Sequence, residues 1–407
     1  AAVPRAPSKY GDAAERGLHW LLASGVFDIA TGAVRGAFDR VSARYAPPDL
    51  SSTAQALQVL VKAYGRFRDA ACLHAARRAA EFLAGRQCSG RDRSGAGSLT
   101  EPGRHRAETL ANARVVEALL DFYFATGEEK YLEVSERAAE WLLGVMQNPD
   151  GSFKAAYDMK AKSLVDGARD DWQHCRAFAH ARLAGTLFKV WEAVKETEPR
   201  YREAALRVLE WARTLQNYNG SFQGHYNPVR AQASDDKFLP SLLEGAEGFF
   251  SAYAQLLRHP RDIALPPIYL EACRNFAAWV MLSARTPEGG IREWVFADDA
   301  SSGPAALPTA QALRLWLRLY LVTQKPDWLE AATTAGDFLL KTQVRSGDRR
   351  AAGGFMAGGA SRKSQRICTR TTATAVAALH ELADVLTIPD LVLDPAWPRY
   401  TGFDPLF

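Results

Sequence analysis

Trp141-Leu142-Leu143-Gly144-Val145-Met146-Gln147-Asn148-Pro149-Asp150-Gly151-Ser152-Phe153, with the polar run that follows it to Asp170-Asp171-Trp172-Gln173-His174-Cys175-Arg176, decides the fold. It reads as the end of an amphipathic helix, a glycine turn, a long polar loop and the start of a second helix. Glycine stops a helix because it enters the left-handed conformation without a steric penalty, and the apolar residue after it can fold back over the helix end.

The same unit occurs six times. An aromatic residue marks the end of an Ala/Leu/Glu/Arg-rich helix at Trp20, Phe82, Trp141, Trp211, Trp279 and Phe338, at intervals of 62, 59, 70, 68 and 59 residues. A period that constant indicates internal repetition. The turns are expected at Gly32-Ala33-Val34, Gly97-Ser98-Leu99, Gly151-Ser152-Phe153, Gly220-Ser221-Phe222, Gly290-Ile291 and Gly354-Phe355. A second helix then begins near Ser51, Glu108, Cys175, Ser241, Thr309 and Thr371. This second set is rich in small and apolar residues, as in Thr371-Thr372-Ala373-Thr374-Ala375-Val376-Ala377-Ala378-Leu379, and is expected to be buried on more than one side. The first set, as in Tyr201-Arg202-Glu203-Ala204-Ala205-Leu206-Arg207, keeps a charged face for solvent. Twelve helices in six hairpins are therefore expected to close into one toroid, inner ring within outer, with the long loops at the inner-helix N-termini. Residues 1–10 are expected to lead in, 11–390 to form the toroid and 391–407 to be a tail.

The pattern resembles the (α/α)6 toroid, or six-hairpin, superfamily over nearly the whole chain. Gln147-Asn148-Pro149-Asp150-Gly151-Ser152-Phe153 and Gln216-Asn217-Tyr218-Asn219-Gly220-Ser221-Phe222 are similar to the Q-x-x-D-G-S-W repeats of triterpene cyclases, with Phe in place of Trp. The superfamily includes glycoside hydrolases, uronate polysaccharide lyases, glucuronyl epimerases and N-acylglucosamine epimerases. The resemblance implies the architecture, and the chemistry has to be sought in the loops.

Composition narrows the classes. With 47% hydrophobic residues the chain can bury a large core, and its net charge of +4 is too small for nucleic-acid binding to be its main business. No apolar run reaches the roughly 18–20 residues that span a bilayer. Five scattered cysteines form neither a disulfide framework nor a zinc set. The start at Ala1 rather than methionine is compatible with a processed, periplasmic or secreted chain, or with a domain cut from a larger protein. A D-x-D-D or D-D-x-x-D acid motif, a GxGxxG, a P-loop and a G-x-S-x-G are all missing, and no motif asks for a cofactor or a metal.

The inner-helix N-termini offer partial positive charge and free N–H groups, suited to an anionic or polyhydroxylated ligand. Asp166-Gly167-Ala168-Arg169-Asp170-Asp171-Trp172-Gln173-His174-Cys175-Arg176 places carboxylates, an indole, an imidazole and guanidiniums on one loop. Asp170, Asp171 and His174 are candidate acid or base groups, Arg169 and Arg176 candidate carboxylate clamps, and Trp172 a flat face for a sugar. The alternative is that Asp170 or Asp171 caps the next helix. Asp235-Asp236 and Asp298-Asp299 recur one repeat on, and there capping is favoured, although Asp236 stays a substrate-binding candidate. His225 and Tyr226 are candidate proton-transfer groups, and Arg292-Glu293-Trp294 contributes Trp294. Glu101-Pro102-Gly103-Arg104-His105-Arg106 supplies Glu101, His105 and Arg106; it is similar to a segment of N-acylglucosamine epimerases but lacks the His directly after the glycine, so that activity is not carried over. Arg362, Lys363, Arg366 and Arg370 complete a cationic lip, for which a solvated basic loop is the alternative. His19, His74, His180, His259 and His380 fall within or at the ends of helices and read as structural.

These residues point to a carbohydrate-active enzyme on an acidic, uronic-acid-containing oligo- or polysaccharide. In β-elimination an arginine neutralises the uronate while His174, His225 or Tyr226 takes the C5 proton; in hydrolysis Asp171 works with Glu101 or Asp236. A sugar epimerase and a non-catalytic glycan-binding toroid are the alternatives. Oligomeric state is not readable.

Overall fold

Apolar residues at helical spacing need a partner surface, and the repeat supplies one helix for each face. In the computed structural model, which describes residues 8–89, 95–165, 176–227, 232–233, 236–257, 266–296, 301–345, 347–358 and 365–387, the helices follow one another as expected. They are α1 (Lys9–Ala23), α2 (Leu50–Phe67), α3 (Ala70–Ala84), α4 (Thr109–Thr126), α5 (Glu129–Trp141), α6 (Arg182–Ala193), α7 (Pro199–Arg213), α8 (Leu239–Leu257), α9 (Pro266–Trp279), α10 (Ala306–Thr323), α11 (Pro326–Thr342) and α12 (Thr369–Thr387). The odd-numbered helices end at the aromatic markers. In α7 a proline occupies the first turn, where its missing N–H costs nothing, and Tyr201, Ala204, Ala205, Val208, Leu209 and Ala212 form the buried stripe. The even-numbered helices are buried on more than one side: α12 buries 15 residues, from Thr369 to Val385.

The chain packs as two units, residues 1–82, 280–295 and 301–407 in one, 83–279 and 296–300 in the other. In the first unit α12 packs against α1, α2 and α10, and α10 against α11; in the second, α6 packs against α4, α7 and α8, and α8 against α9.

The glycine turn is a clamp between repeats. Gln147 Nε2 donates to the Gly151 carbonyl within its own turn (3.3 Å) and to the Ala204 carbonyl of α7 (3.1 Å), while Arg207 Nη2 donates back to Gln147 Oε1 (3.1 Å). Gln87, Gln216 and Gln343 do the same for Gly97 and Val134, Gly220 and Ala272, and Gly353 and Ala13. Asp150 Oδ1 accepts from the Ser152 backbone N–H (3.0 Å) and hydroxyl (2.6 Å), so the acid of this motif is consumed by the turn. Phe222, the apolar residue of the fourth turn, stacks on Phe178 at 4.0 Å and meets Phe249 and Phe276, which is the expected covering of the helix end.

Four expectations are corrected. In the last two turns the left-handed glycine is Gly289 (φ 88°) and Gly353 (φ 96°); Gly290 and Gly354 take the small-residue place that Ser152 holds elsewhere. The inner helix expected near Cys175 opens instead as a 3-10 turn at Phe178–Ala181, before α6. The long loops are not simply polar coil but carry short antiparallel strands: β1 (Ala37–Asp39), β2 (Arg44–Tyr45), β3 (Arg106–Glu108), β4 (Ala156–Asp158), β5 (Ser163–Val165), β6 (Arg176–Ala177), β7 (His225–Asn227), β8 (Gln232–Ala233), β9 (Lys237–Phe238), β10 (Ile291–Arg292), β11 (Trp294–Val295), β12 (Pro304–Ala305) and β13 (Arg366–Cys368). Fourth, the capping read for Asp236 is not realised, because β9 intervenes before α8 begins at Leu239.

The strands repeat as the helices do. In each of the sheets β13-β1-β2, β3-β4-β5 and β6-β7-β8, the strand leading into an inner helix pairs with the hairpin of the next loop. Asp39 and Asp158 stand at equivalent registers, opposite Arg366 and Arg106. Each aspartate accepts backbone N–H bonds from its own hairpin tip, Val41 and Ser42 in one case, Lys160 and Ala161 in the other.

Candidate active site at the inner-helix mouths

In the first unit the last loop and the first hairpin meet at the start of α12. Cys368 is the residue before that helix, and Thr369 is pinned there by its N–H to Gly36 O (2.9 Å). Burial pushes the Cys368 thiol up; Arg366 and Arg370 pull it down while Asp49 and Glu293 push it further up. These four charged groups therefore all act on one half-buried thiol. Asp49 is committed as the N-cap of α2, accepting from the Ser52 N–H (2.7 Å) and hydroxyl (2.8 Å).

Glu293 is different. Its backbone is set by the hairpin that pairs Arg292 with Pro304 and by its N–H to Gly303 O (3.3 Å). Its side chain stays open to solvent, yet the surrounding protein removes enough water to push the carboxyl up. A carboxyl that a ligand can reach, and that holds its proton more tightly than an ordinary glutamate, has the properties of a general acid.

In the second unit the inner helices carry a buried ion-pair cluster. Arg114 of α4 grips Glu244 of α8 through two bonds of 2.7 and 2.6 Å. Arg182, the first residue of α6, bonds Glu117, donates to Glu247 (3.0 Å) and lies 3.6 Å from Glu244. Thr186 donates to Glu117 (2.6 Å), and Lys189 pairs with Asp121 (2.6 Å). The inner helices carry fewer charges than the outer set, and the pairing of those they do carry has a simple geometry. Arg114, Glu117 and Asp121 lie at helical spacing on one face, as do Arg182, Thr186 and Lys189, so each row meets its complement on the neighbouring helix. The first unit repeats the device with Arg314 and Lys62 on Glu381 and Arg66 on Asp384.

His180 lies beside this cluster, 3% exposed, bonded to the Phe153 backbone, with Nδ1 lacking a hydrogen-bond partner among the described residues. Burial is the main cause that lowers its pKa from 6.5 to about 4; the Phe153 bond and Glu244 oppose the shift, and Arg114 adds to it. The structural role read for His180 fits a neutral buried ring. The unfolded chain takes up a proton near pH 6.5 that the folded chain refuses until about pH 4, so folding stability is lost as pH falls through that window, by about 3 kcal/mol in all. In urea unfolding at stepped pH, His180→Gln should flatten the slope there; parallel losses in both proteins would refute the assignment.

Of the residues singled out from sequence, Arg169, Asp170, Asp171, Trp172, His174, Asp235, His259, Asp298, Asp299, Arg362 and Lys363 lie outside the described residues. Arg176, His225 and Tyr226 are placed through their backbone, with Arg176 paired to Tyr226 and Ala177 to His225 across β6 and β7. Glu101 is half-buried and His105 exposed on the turn before β3; Arg106 is half-buried opposite Asp158, and Asp236 is exposed. Trp294 is half-buried next to Glu293, Arg366 is exposed, and Arg370 is half-buried in the first turn of α12. Arg366, Arg370 and Glu293 thus each lie within electrostatic reach of Cys368. Glu293 was named in sequence only as a neighbour of Trp294, because nothing local distinguishes a desolvated glutamate from a solvated one. Among the described residues no group of three His, Cys, Asp or Glu side chains is placed to hold a metal ion, and no helix is long and apolar enough to cross a membrane.

Sequence comparison finds no matching family model and no matching curated protein. Comparison of folds does find relatives. The chain is similar to a sugar epimerase from a ruminal bacterium (TM-score 0.74, 13% identity, 92% of this chain and 98% of that one) and to cellobiose 2-epimerase from Spirochaeta thermophila (0.71, 16%, 93% and 98%). It is likewise similar to an unsaturated glucuronyl hydrolase, responsible for glycosaminoglycan degradation, from a Bacillus species (0.67, 14%, 93% and 97%). At these identities the likeness establishes the fold alone, which is the all-α (α/α)6 toroid.

Proposed function

We propose that the chain is a carbohydrate-active enzyme that hydrolyses an acidic, uronic-acid-containing glycan. Glu293 is its general acid, and Arg370 and Arg366 hold the sugar carboxylate. The observation that carries this reading is Glu293 itself, an accessible carboxyl that burial shifts toward its protonated form and that acts, like Arg366 and Arg370, on the Cys368 thiol. A protonated carboxyl can donate to the glycosidic oxygen as the bond breaks, and a guanidinium can take a carboxylate through two parallel bonds. Trp294, next to Glu293, is proposed as a face for the sugar ring. The glycosaminoglycan-degrading hydrolase among the structural relatives supports an acidic substrate.

Epimerisation is the second reading, supported by the two epimerases of the same fold. It needs proton-transfer groups on both faces of one carbon, for which His174, His225 and Tyr226 are the proposed sources.

One experiment separates the readings. The protein is incubated with uronic-acid polysaccharides and their oligosaccharides while reducing ends and unsaturated-uronate absorbance are followed together. Reducing ends without new absorbance are expected, and Glu293→Gln should lower kcat/KM at least about 100-fold. Because the acid works only when protonated, wild-type activity should fall as pH rises through the elevated pKa of Glu293. New absorbance would mean β-elimination; solvent deuterium entering the sugar without cleavage would mean epimerisation; and full activity in Glu293→Gln would remove Glu293 from the chemistry.

A further inference from the structure

We propose that the first hairpin extends the carboxylate site at Arg366 into an anion-binding strip, Arg366–Asp39–Arg44, whose outer member Arg44 holds the next acidic residue of a linear polysaccharide outside the catalytic mouth. The inference rests on the proposed acidic-glycan reading and extends it from one sugar to a chain. Arg366 pairs with Asp39 across β13 and β1, and Asp39 pairs with Arg44 across β1 and β2. Residues directly opposite in a sheet share a face, so the three form one row. Phe38 and Ile367, one residue along, point to the other face and are 1% and 0% exposed, so the row faces away from the core. Cys368 lies two residues from Arg366 and shares its face. The strip is therefore continuous with the Cys368 and Glu293 mouth, about 7 Å along the strand.

Charge accounting favours an anion. The Asp39 carboxylate is held below its ordinary range by the Ser42 and Val41 N–H groups, the Ser42 side chain and the charge of Arg366, and with Arg44 the row keeps a net positive charge. The Arg44 and Arg366 side chains are exposed, and neither makes a hydrogen bond or a direct ion pair among the described residues. Two strand spacings set the Arg44 and Arg366 backbones about 10 Å apart, so their guanidiniums can reach two separate carboxylates of one chain. Nor is the second arginine a relic of the repeat. The equivalent rows are Arg106–Asp158–Ser163 in the β3-β4-β5 sheet and Asn227–Gln232 in the β6-β7-β8 sheet. Only the sheet beside Glu293 has two arginines, among the described residues.

The test measures binding in the Glu293→Gln background, so that ligand is not consumed, with a hyaluronan octasaccharide, a hyaluronan disaccharide and a single-stranded DNA of equal charge as probes. Arg44→Gln should weaken the octasaccharide about fivefold, and Arg44→Gln with Arg366→Gln about 25-fold, while Arg44→Gln moves the disaccharide less than about twofold. An unchanged octasaccharide affinity, equal losses for both lengths, or no octasaccharide binding at all would overturn the strip. DNA binding as tight and as sensitive as the octasaccharide would overturn it as a glycan site. Length-dependent loss in a protein that hydrolyses no acidic glycan would leave the strip standing and bring down the hydrolase reading. Hydrolysis with no length dependence would do the reverse.

Discussion

Arg182→Met is expected to destabilise the protein by about 3–5 kcal/mol, the usual consequence of removing one partner from a buried ion pair. The side chain is 12% exposed and touches three carboxylates, Glu117, Glu244 and Glu247. Burial alone would make the guanidinium easier to deprotonate, yet Glu117, Glu247 and Glu244 hold it above its ordinary value. Without it, Glu117 keeps only the Thr186 hydroxyl (2.6 Å) of the bonds described here, and Arg114 is left to answer Glu244. Methionine keeps much of the volume and supplies no charge, so the loss is electrostatic rather than a cavity. Pairing the change with Glu117→Gln should recover part of the cost, because one uncompensated charge disappears. Urea midpoints for the wild type, the two single variants and the double variant form the cycle; a cost below about 1 kcal/mol for Arg182→Met would show that water reaches the cluster.

The lesson of that cluster is about what a sequence displays. Helix number, helix ends and the glycine turns were legible because each is written locally: Trp141 before Gln147 and Gly151, then the same order around Trp211, Gln216 and Gly220. The buried charges were written too, as Arg114-Glu117-Asp121 and Arg182-Thr186-Lys189, but a charged row on one helix looks solvated until its partner is known. Pairing is a tertiary fact. The error at Gly290 and Gly354 has the opposite origin: Gly289-Gly290 and Gly353-Gly354 are doublets, and either glycine could take the left-handed turn by local rules. The Arg292-Glu293-Trp294 triplet shows the limit for function. Its identity gave the chemistry, and only the hairpin and the residues around Cys368 give Glu293 its environment.

Gly151→Ala should cost about 3–5 kcal/mol, and the comparison that isolates the reason is Gly127→Ala. Both glycines have positive φ, 90° and 73°, where an alanine is strained by about 1–2 kcal/mol. They differ in their surroundings. A Cβ on Gly127 would meet nothing within 4 Å, whereas a Cβ on Gly151 would run into the Arg207 backbone carbonyl of α7. The neighbouring turns repeat the contact, Gly220 against the Asn275 carbonyl at 2.6 Å and Gly289 against that of Thr334 at 2.6 Å. Neither side can withdraw cheaply, since Gln147 ties the turn to Ala204 one helical turn from Arg207, and Tyr201, Ala204 and Val208 fix α7 in the core. Gly127→Ala should therefore show the conformational cost alone, about 1 kcal/mol, and Gly151→Ala that cost plus the displacement of a helix backbone. Thermal and urea unfolding of the two variants beside the wild type measure the difference. If they lose the same stability, the turn yields without moving α7, and the glutamine clamp is not what sets the spacing between repeats.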